Sequence, residues 1–361
     1  MRYFAVVLFA LAAIIWTIQA VNFLDLVVDD GHAFTVYLFY SFLTLPKILT
    51  KLIPFSFFIA SILTIIKFEN DNELIILWTS GLNKIHMVNL LFRISLLIMI
   101  LQFILTSFVT PETLNFSRNL LKNSELQFVP SLLKEKQFND TLEGLTIFVD
   151  KKNADGKYEN IFIRDDGNVL TKISTGSSTI FAKSGYVSSS EKSLLLFNGY
   201  IQKLENDGSI NMIKFEKTQL KLSGLSTKTI SEPKIQETST MLIIKCMQKK
   251  IIEAHNCRQQ EKELLEAKIE INKRFGMPMF IPLISLIACF LFSPQKEKKF
   301  SAFRKHIYFL IGFFILISAE ISVRYSGISF NHTVLFYCIP IGLFPLTYIF
   351  LIRKFKYENL Y

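Results

Sequence analysis

The 361-residue chain lacks the residue patterns that would let it hydrolyse a nucleotide or a peptide by itself. There is no GxxxxGKS/T loop. Gly224, Lys228 and Thr229 imitate only its tail, because Thr227 stands where the loop needs a glycine whose missing Cβ lets the backbone wrap a phosphate. HExxH and GxSxG are both absent. The five histidines, His32, His86, His255, His306 and His332, are scattered, which suits structural roles. Cysteine is scarce: Cys246, Cys257, Cys289 and Cys338 form no CxxC and have no histidine at metal-ligand spacing, so they read as buried or inert thiols. There is no internal repeat and no low-complexity linker. The first apolar run, Tyr3–Leu24, is longer than a signal-peptide core and has no small-residue cleavage site before Asn22, so it reads as a retained anchor. These absences predict no catalytic residue, no metal site and no cofactor held by the chain itself.

What the chain has is grease. Half of its residues are hydrophobic (50%), 35 are phenylalanine, and the mean hydropathy is positive, as expected when lipid is part of the solvent. The formal charge of +10 could suit nucleic acid, but the basic residues fall largely in short clusters beside apolar runs, which favours membrane topology. A hydrocarbon core of ~30 Å needs about 20 apolar helical residues. Six runs approach that length: Tyr3–Leu24, Leu45–Ile66, Val88–Val109, Phe275–Phe292, Ile307–Val323 and Thr333–Ile352. The fifth is the weakest, because Glu320 interrupts it. Lys296, Lys298, Lys299, Arg304 and Lys305 between the fourth and fifth runs, with Arg353, Lys354 and Lys356 after the sixth, place those segments in the cytoplasm. Both termini then lie in the cytoplasm as well.

The same alternation puts the long segment between the third and fourth runs outside. Its front part, 111–236, reads as short strands (Leu145–Val149, Ile161–Ile163, Ser193–Phe197, Gly199–Leu204, Met212–Phe215) separated by turn residues such as Asn153–Gly156, Asp165–Asn168 and Glu205–Gly208. That spacing predicts an antiparallel, jelly-roll-like β domain. Residues 237–274 read as a helical connector leading into the fourth run. The fold class is therefore an α-helical membrane protein of six spans, residues 1–110 and 275–361, with an all-β extracytoplasmic domain inserted between spans three and four.

Between the second and third runs lies ENDNELIILWTSGLNKI, Glu69–Ile85, in the cytoplasm by this topology. As a helix it gathers Leu74, Ile75, Trp78, Leu82 and Ile85 in an arc of ~100° and puts Glu73, Ser80 and Lys84 opposite. Two readings fit: an interfacial helix whose Asn70 and Glu73 form a capping box, or a helix that docks on a soluble partner through Glu73.

The order of these features resembles the LptF/LptG permease family along essentially the whole chain. The residues that carry it are Leu45-Pro46 before the second span, Glu73-Leu74 followed by Ser80-Gly81, and the β-rich domain. Glu270-Ile-Asn-Lys-Arg-Phe275 with Pro278 at span four, and Pro340 and Pro345 in span six, complete the pattern. The resemblance implies a permease of the bacterial inner membrane that pairs with a homologous LptF/LptG chain, sits on an LptB ATPase dimer that uses the ATP, and extracts lipopolysaccharide. Its periplasmic jelly roll would pass the lipid to LptC and LptA. It also implies a coupling helix at 69–85, with Glu73, Leu74 and Trp78 at the ATPase contact and Gly81 ending the helix. Glu270, Asn272 and Arg274 form the family motif before span four. Asn272 and the lack of lysines after the first span lean toward LptF.

A phosphorylated lipid needs cations near the outer membrane face, since unpaired charge is costly in a low-dielectric cavity. Lys47, Lys51, Arg118 and Arg324 are at that level by topology, and each also fits a snorkelling role. Glu320, one turn from Arg324 and counted with these lipid-binding candidates, reads either as the intrahelical partner of Arg324, hiding both charges from lipid, or as part of a gate. Phe162 and Phe197 are expected on the inner, lipid-facing side of the β domain. The alternative function is a membrane-anchored assembly or mechanotransmission protein that moves no lipid.

Overall fold

The computed structural model describes residues 1–24, 27, 34–124, 133, 135–140, 144–153, 156–166, 177–188, 193–204, 209–221, 234–248, 261–293 and 298–358. These fall into two compact units. Met1–Ile18, Thr44–Asn115 and Lys234–Tyr361 make up the first, and Gln19–Leu43 and Phe116–Pro233 the second.

Among the described residues, six helical stretches are long and apolar enough to cross a membrane: Arg2–Asn22, Phe34–Asn70, Lys84–Leu121, Lys262–Phe292, Phe303–Tyr325 and Phe330–Lys356. Each matches one of the expected runs, and all but the first extend past it into polar sequence. The helices among the described residues are α1 (Arg2–Asn22), α2 (Phe34–Leu43), α3 (Leu45–Asn70), α4 (Glu73–Thr79), α5 (Lys84–Ile104) and α6 (Thr110–Ser124). After the sheet come α7 (Thr240–Met247), α8 (Glu261–Gly276), α9 (Phe280–Cys289), α10 (Lys298–Tyr325) and α11 (Phe330–Glu358).

α3 starts cleanly because Pro46 sits in its first turn, where no N–H is needed. Between α5 and α6 the chain makes a π-helical turn, Leu105–Val109, just ahead of Pro111. α9 is apolar all round and every residue from Phe280 to Cys289 is buried, as such a helix must be. It packs on α3, α5, α10 and α11, and joins Phe58, Leu351 and Phe355 in one core. Burying those side chains contributes roughly 1.5–3 kcal/mol each relative to water, less where the alternative is lipid. Pro278, expected to open span four, lies in a short 3-10 turn, Met277–Met279, that joins α8 to α9.

The second unit holds a six-stranded antiparallel meander: β1 (Phe138–Asn139), β2 (Leu145–Lys152), β3 (Lys157–Asp165), β4 (Ser178–Ser188), β5 (Ser193–Leu204) and β6 (Ile210–Lys221), paired in chain order. The two expected strands Ser193–Phe197 and Gly199–Leu204 are one strand, β5. Asn198-Gly199 looks like a hairpin turn but is not one. Asn160 and Asn198 both have φ of 52°, a left-handed conformation that asparagine tolerates, yet the pairing register runs on past both without a slip. A single left-handed residue reverses the alternation of the pleat. The core-facing residues of β3 therefore switch from Tyr158 to Ile161 and Ile163, and those of β5 from Leu194 and Leu196 to Ile201. By register Asp150, Asn160, Lys183, Asn198 and Glu216 form one polar row across β2–β6. Asn160 Nδ2 donates to Asp150 Oδ2 at 3.1 Å in that row. One core, with Leu145, Ile147 and Val149 among its members, is assembled from both sides of it.

Cys289 is a buried free thiol and Cys338 an exposed one, but Cys246 on α7 is disulfide-bonded, which corrects the reading of all four as inert. Spacing along the chain carries no such signal, because a disulfide depends on two Cβ atoms meeting within about 4 Å in space. Cys257 lies outside the described residues.

Candidate functional site

The segment Glu69–Ile85 contains a helix of its own, α4. It starts without the expected capping box. Asn70 still belongs to α3, and the N-cap is Asn72, whose φ of 60° and lack of a side-chain cap bond leave Glu73 no box to complete. Glu73 is exposed and makes no hydrogen bond or ion pair among the described residues. At the other end the Leu82 N–H donates to the Leu77 carbonyl and the Gly81 N–H to that of Trp78, both at 3.2 Å. This is a Schellman stop. It requires the φ of 86° that Gly81 supplies without strain.

α4 is anchored on one narrow stripe. Leu74 is 5% exposed, and the Trp78 ring lies edge-on to Phe292 with centroids 6.3 Å apart. Ile75 and Leu82, expected on the same arc, are exposed, and so is Ile76. Lys84, expected on the polar side, is instead 7% exposed, with its Nζ 6.0 Å from the Trp78 ring and 5.8 Å from that of Phe355 on α11. The helical phase does not carry through Gly81: Lys84 begins α5, so its direction is set by a different axis. Glu69 at the end of α3 pairs with Lys305 of α10 at 3.0 Å.

The motif before span four is a structural knot. Arg274 is 2% exposed. Its Nε donates to Glu270 Oε1 at 2.9 Å, its Nη1 to Thr240 Oγ1 at 2.8 Å, and its Nη2 to the carbonyls of Gln236 at 3.2 Å and Thr238 at 3.0 Å. Asn272, two residues back and therefore on another face of α8, donates to Ser326 Oγ at 3.0 Å and accepts from Tyr337 Oη at 3.4 Å. A buried guanidinium is tolerated only with its donors satisfied. Here they are satisfied by the connector.

Two adjoining cavities open beside this knot. The smaller, about 50 Å³, is lined by Lys47, Lys51, Glu270, Lys273 and Arg274 among others. The larger, about 330 Å³, shares Thr50, Lys51, Thr106 and Lys273 with it and adds Phe55, Met277, Leu316, Ile317 and Glu320. Lys47 and Lys51 are thus brought together. Arg324 and Arg118 do not join them: Arg324 is exposed and lines neither cavity, and Arg118 belongs to the second unit, where it is half-buried and already engaged. Glu320 pairs with Lys273 of α8 at 3.6 Å and not with Arg324, which is exposed.

In the second unit, Phe162 belongs to an aromatic file that crosses the sheet on the face away from the packed core. Phe138, Phe148, Phe162, Phe181 and Tyr200 follow one another strand by strand. Ring centroids are 4.7 Å apart for Phe138–Phe148, 5.1 Å for Phe162–Phe181 and 4.9 Å for Phe181–Tyr200. Phe148, Phe162, Phe181 and Tyr200 line a groove of about 800 Å³ that also takes in Met212, Lys183 and Lys214. Phe197 is not in that groove. It lies beyond the polar row, stacked on Tyr186 at 5.8 Å, with Lys217 Nζ 6.0 Å from its ring.

Compared with known proteins, residues 1–354 match the family of lipopolysaccharide export system permeases LptF/LptG. The chain belongs to the LptF/LptG family. A curated relative, uncharacterized protein RP871 of Rickettsia prowazekii (strain Madrid E), is 28% identical over 229 residues. That match covers 62% of this chain and 61% of the relative, less than two thirds of its length.

As an LptF/LptG protein the chain is a multi-pass membrane protein, and several residues of the candidate sites are not legible in the sequence. Lys273 lies between Asn272 and Arg274 with nothing local to set it apart, although intramembrane or boundary cations are functional candidates by default. Thr240, which bridges Arg274 to span three, gave no signal at all. The aromatic file was detectable in principle: Phe148, Phe162, Phe181 and Tyr200 each occupy the middle of a strand. β4, however, was not among the expected strands, and so the file was broken.

Proposed function

We propose that this LptF/LptG chain is a permease subunit that extracts lipopolysaccharide from the inner membrane, driven by a separate LptB-type ATPase that docks on α4. The observation that carries the reading is the division of labour on α4: Leu74 and Trp78 hold it in place, while Glu73, Ile75 and Ile76 are left exposed beside one another. An exposed carboxylate next to two exposed isoleucines on a chain with no nucleotide motif is suited to an arginine-bearing groove on a partner.

The remaining parts of the reading follow the topology. Both termini and α4 lie in the cytoplasm, and the sheet and α7 in the periplasm, where the disulfide at Cys246 is at home. Lys47, Lys51 and Lys273 receive the lipid phosphates, with the apolar wall of Phe55, Leu316 and Ile317 beside them. The aromatic groove around Phe162 takes acyl chains. β6, whose outer edge has no partner strand among the described residues and exposes Ile210 and Met212, offers itself to the next periplasmic protein, LptC or LptA. The chain takes the LptF role beside a homologous LptG.

The test is co-purification and lipid extraction with the homologous chain and the ATPase. Glu73→Arg should abolish ATPase association and ATP-driven extraction, while Glu73→Ala leaves the fold intact, since no cap depends on it. Retention of both activities in Glu73→Arg would sink the docking role of α4. A photo-crosslinker at Phe162 that never captures lipopolysaccharide would favour the alternative of a protein that moves no lipid.

A further inference from the structure

The ionisable groups around the two cavities are unequal in how firmly they are held. The cations are Lys47, Lys51, Lys273 and Arg274, and the carboxylates are Glu270 and Glu320. Arg274 and Glu270 are closed off: their bond is 2.9 Å, the side chains are 2% and 14% exposed, and the other Arg274 donors are taken up by the connector. Lys47 and Lys51 form no ion pair among the described residues. Lys273 and Glu320 differ from both. Their Nζ and Oε1 atoms are 3.6 Å apart, beyond good hydrogen-bond distance, and their side chains are 30% and 42% exposed. This loose pair spans two helices, α8 and α10, and both partners line the larger cavity.

Glu320 lies near the outer end of its span, five residues before Tyr325, where a carboxylate beside an apolar cavity wall is costly and persists only with a partner and a use. Glu320 cannot be there to bind an anion. It sits opposite a cation that would otherwise add to Lys47 and Lys51, which makes it a removable counter-charge.

We propose that Glu320 is a displaceable counter-ion. It occupies Lys273 while the cavity is empty, and a phosphate-bearing anionic lipid headgroup takes Lys273 from it, breaking the tie between α8 and α10 on loading. The return of Glu320 to Lys273 then favours departure of the headgroup. This rests on the reading of the cavity as a headgroup site and adds the element that keeps binding reversible. An uncountered set of three lysines would hold a phosphate too firmly for onward transfer.

The test uses the whole transporter, this chain with its homologous permease and ATPase, in vesicles, with a photo-crosslinker in place of Phe55 on the cavity wall. Three vesicle types are compared: phosphatidylglycerol alone, the same with phosphorylated lipid A, and the same with dephosphorylated lipid A. Glu320→Gln should raise the adduct yield of the phosphorylated lipid about two- to fivefold, the scale of a half-exposed ion pair, and leave the dephosphorylated lipid unchanged. The same rise with phosphatidylglycerol alone would support the counter-ion with a phospholipid as its ligand. The paired variant Lys273→Glu with Glu320→Lys should return the yield to the wild-type value, and it carries the test if the single variant does not assemble. A lowered yield in the paired variant, or wild-type adducts that do not change in Glu320→Gln, would overturn the counter-ion and leave the cavity reading standing. No adduct with any lipid in either protein would overturn both.

Discussion

The Thr240 hydroxyl donates to the backbone carbonyl of Ser107, 133 residues away along the chain. Pro111, four residues on, has no N–H to give that carbonyl, and the π-helical turn at Leu105–Val109 spans the same stretch. The same Thr240 oxygen accepts from Arg274 Nη1, and Thr106 of the π-turn donates to the Arg274 carbonyl at 3.3 Å. Three elements far apart in sequence are thus closed around one guanidinium.

Removing that guanidinium should be severe. Arg274→Ala leaves the Glu270 carboxylate, 14% exposed, without its cation and frees the carbonyls of Gln236 and Thr238. A loss of about 3–5 kcal/mol is expected. Arg274→Lys should recover little, because an ammonium cannot reproduce the fork. Thermal unfolding of the detergent-solubilised protein, together with protease cleavage in residues 234–248, measures both. Wild-type midpoints in Arg274→Lys would show that charge alone suffices.

Gly199 should not tolerate a methyl group. A Cβ there would run into the Phe181 carbonyl oxygen and come within 2.6 Å of Phe215 Cζ, and the first of these is backbone that cannot swing away. Gly199→Ala is expected to destabilise the sheet by about 1–3 kcal/mol. Faster amide hydrogen exchange confined to β4–β6 would be the readout, and unchanged exchange would show the sheet flexes there.

Tyr158 ties sheet stability to alkaline pH. It is 2% exposed, and burial pushes its phenol above the usual tyrosine value. A group whose pKa is raised on folding binds its proton more tightly in the native state, so its contribution is complete below the unfolded value of about 10 and fades as pH rises past it. The sheet should therefore lose stability above about pH 10, and Tyr158→Phe should flatten that loss. Denaturant midpoints at pH 8 and pH 10.5 for both proteins decide it; parallel declines would discharge Tyr158.

Much of the architecture was written in runs of residues. Six apolar stretches, the break between β2 and β3, and the helix within Glu69–Ile85 each depend on neighbours in the chain, and all appear among the described residues. The errors have a common cause. Asn198-Gly199 reads locally as a hairpin, but its left-handed residue is used to reverse the pleat in mid-strand, and only pairing with β4 and β6 reveals that. Likewise Asn70 and Glu73 have the spacing of a capping box, yet α3 runs on through Asn70 and leaves Glu73 exposed.

By itself, then, the sequence determined the membrane class, the number of spans, the inserted β domain and the absence of nucleotide-binding motifs, because hydropathy, length and motif spacing are properties of the chain. Only the tertiary structure decided that Glu320 faces Lys273 and not Arg324, that Lys84 turns inward between Trp78 and Phe355, and that Arg274 fastens the connector. Each of those is a choice of partner for a charge. In an environment of low dielectric that choice depends on which helix faces which, a relation between distant segments that no local pattern records.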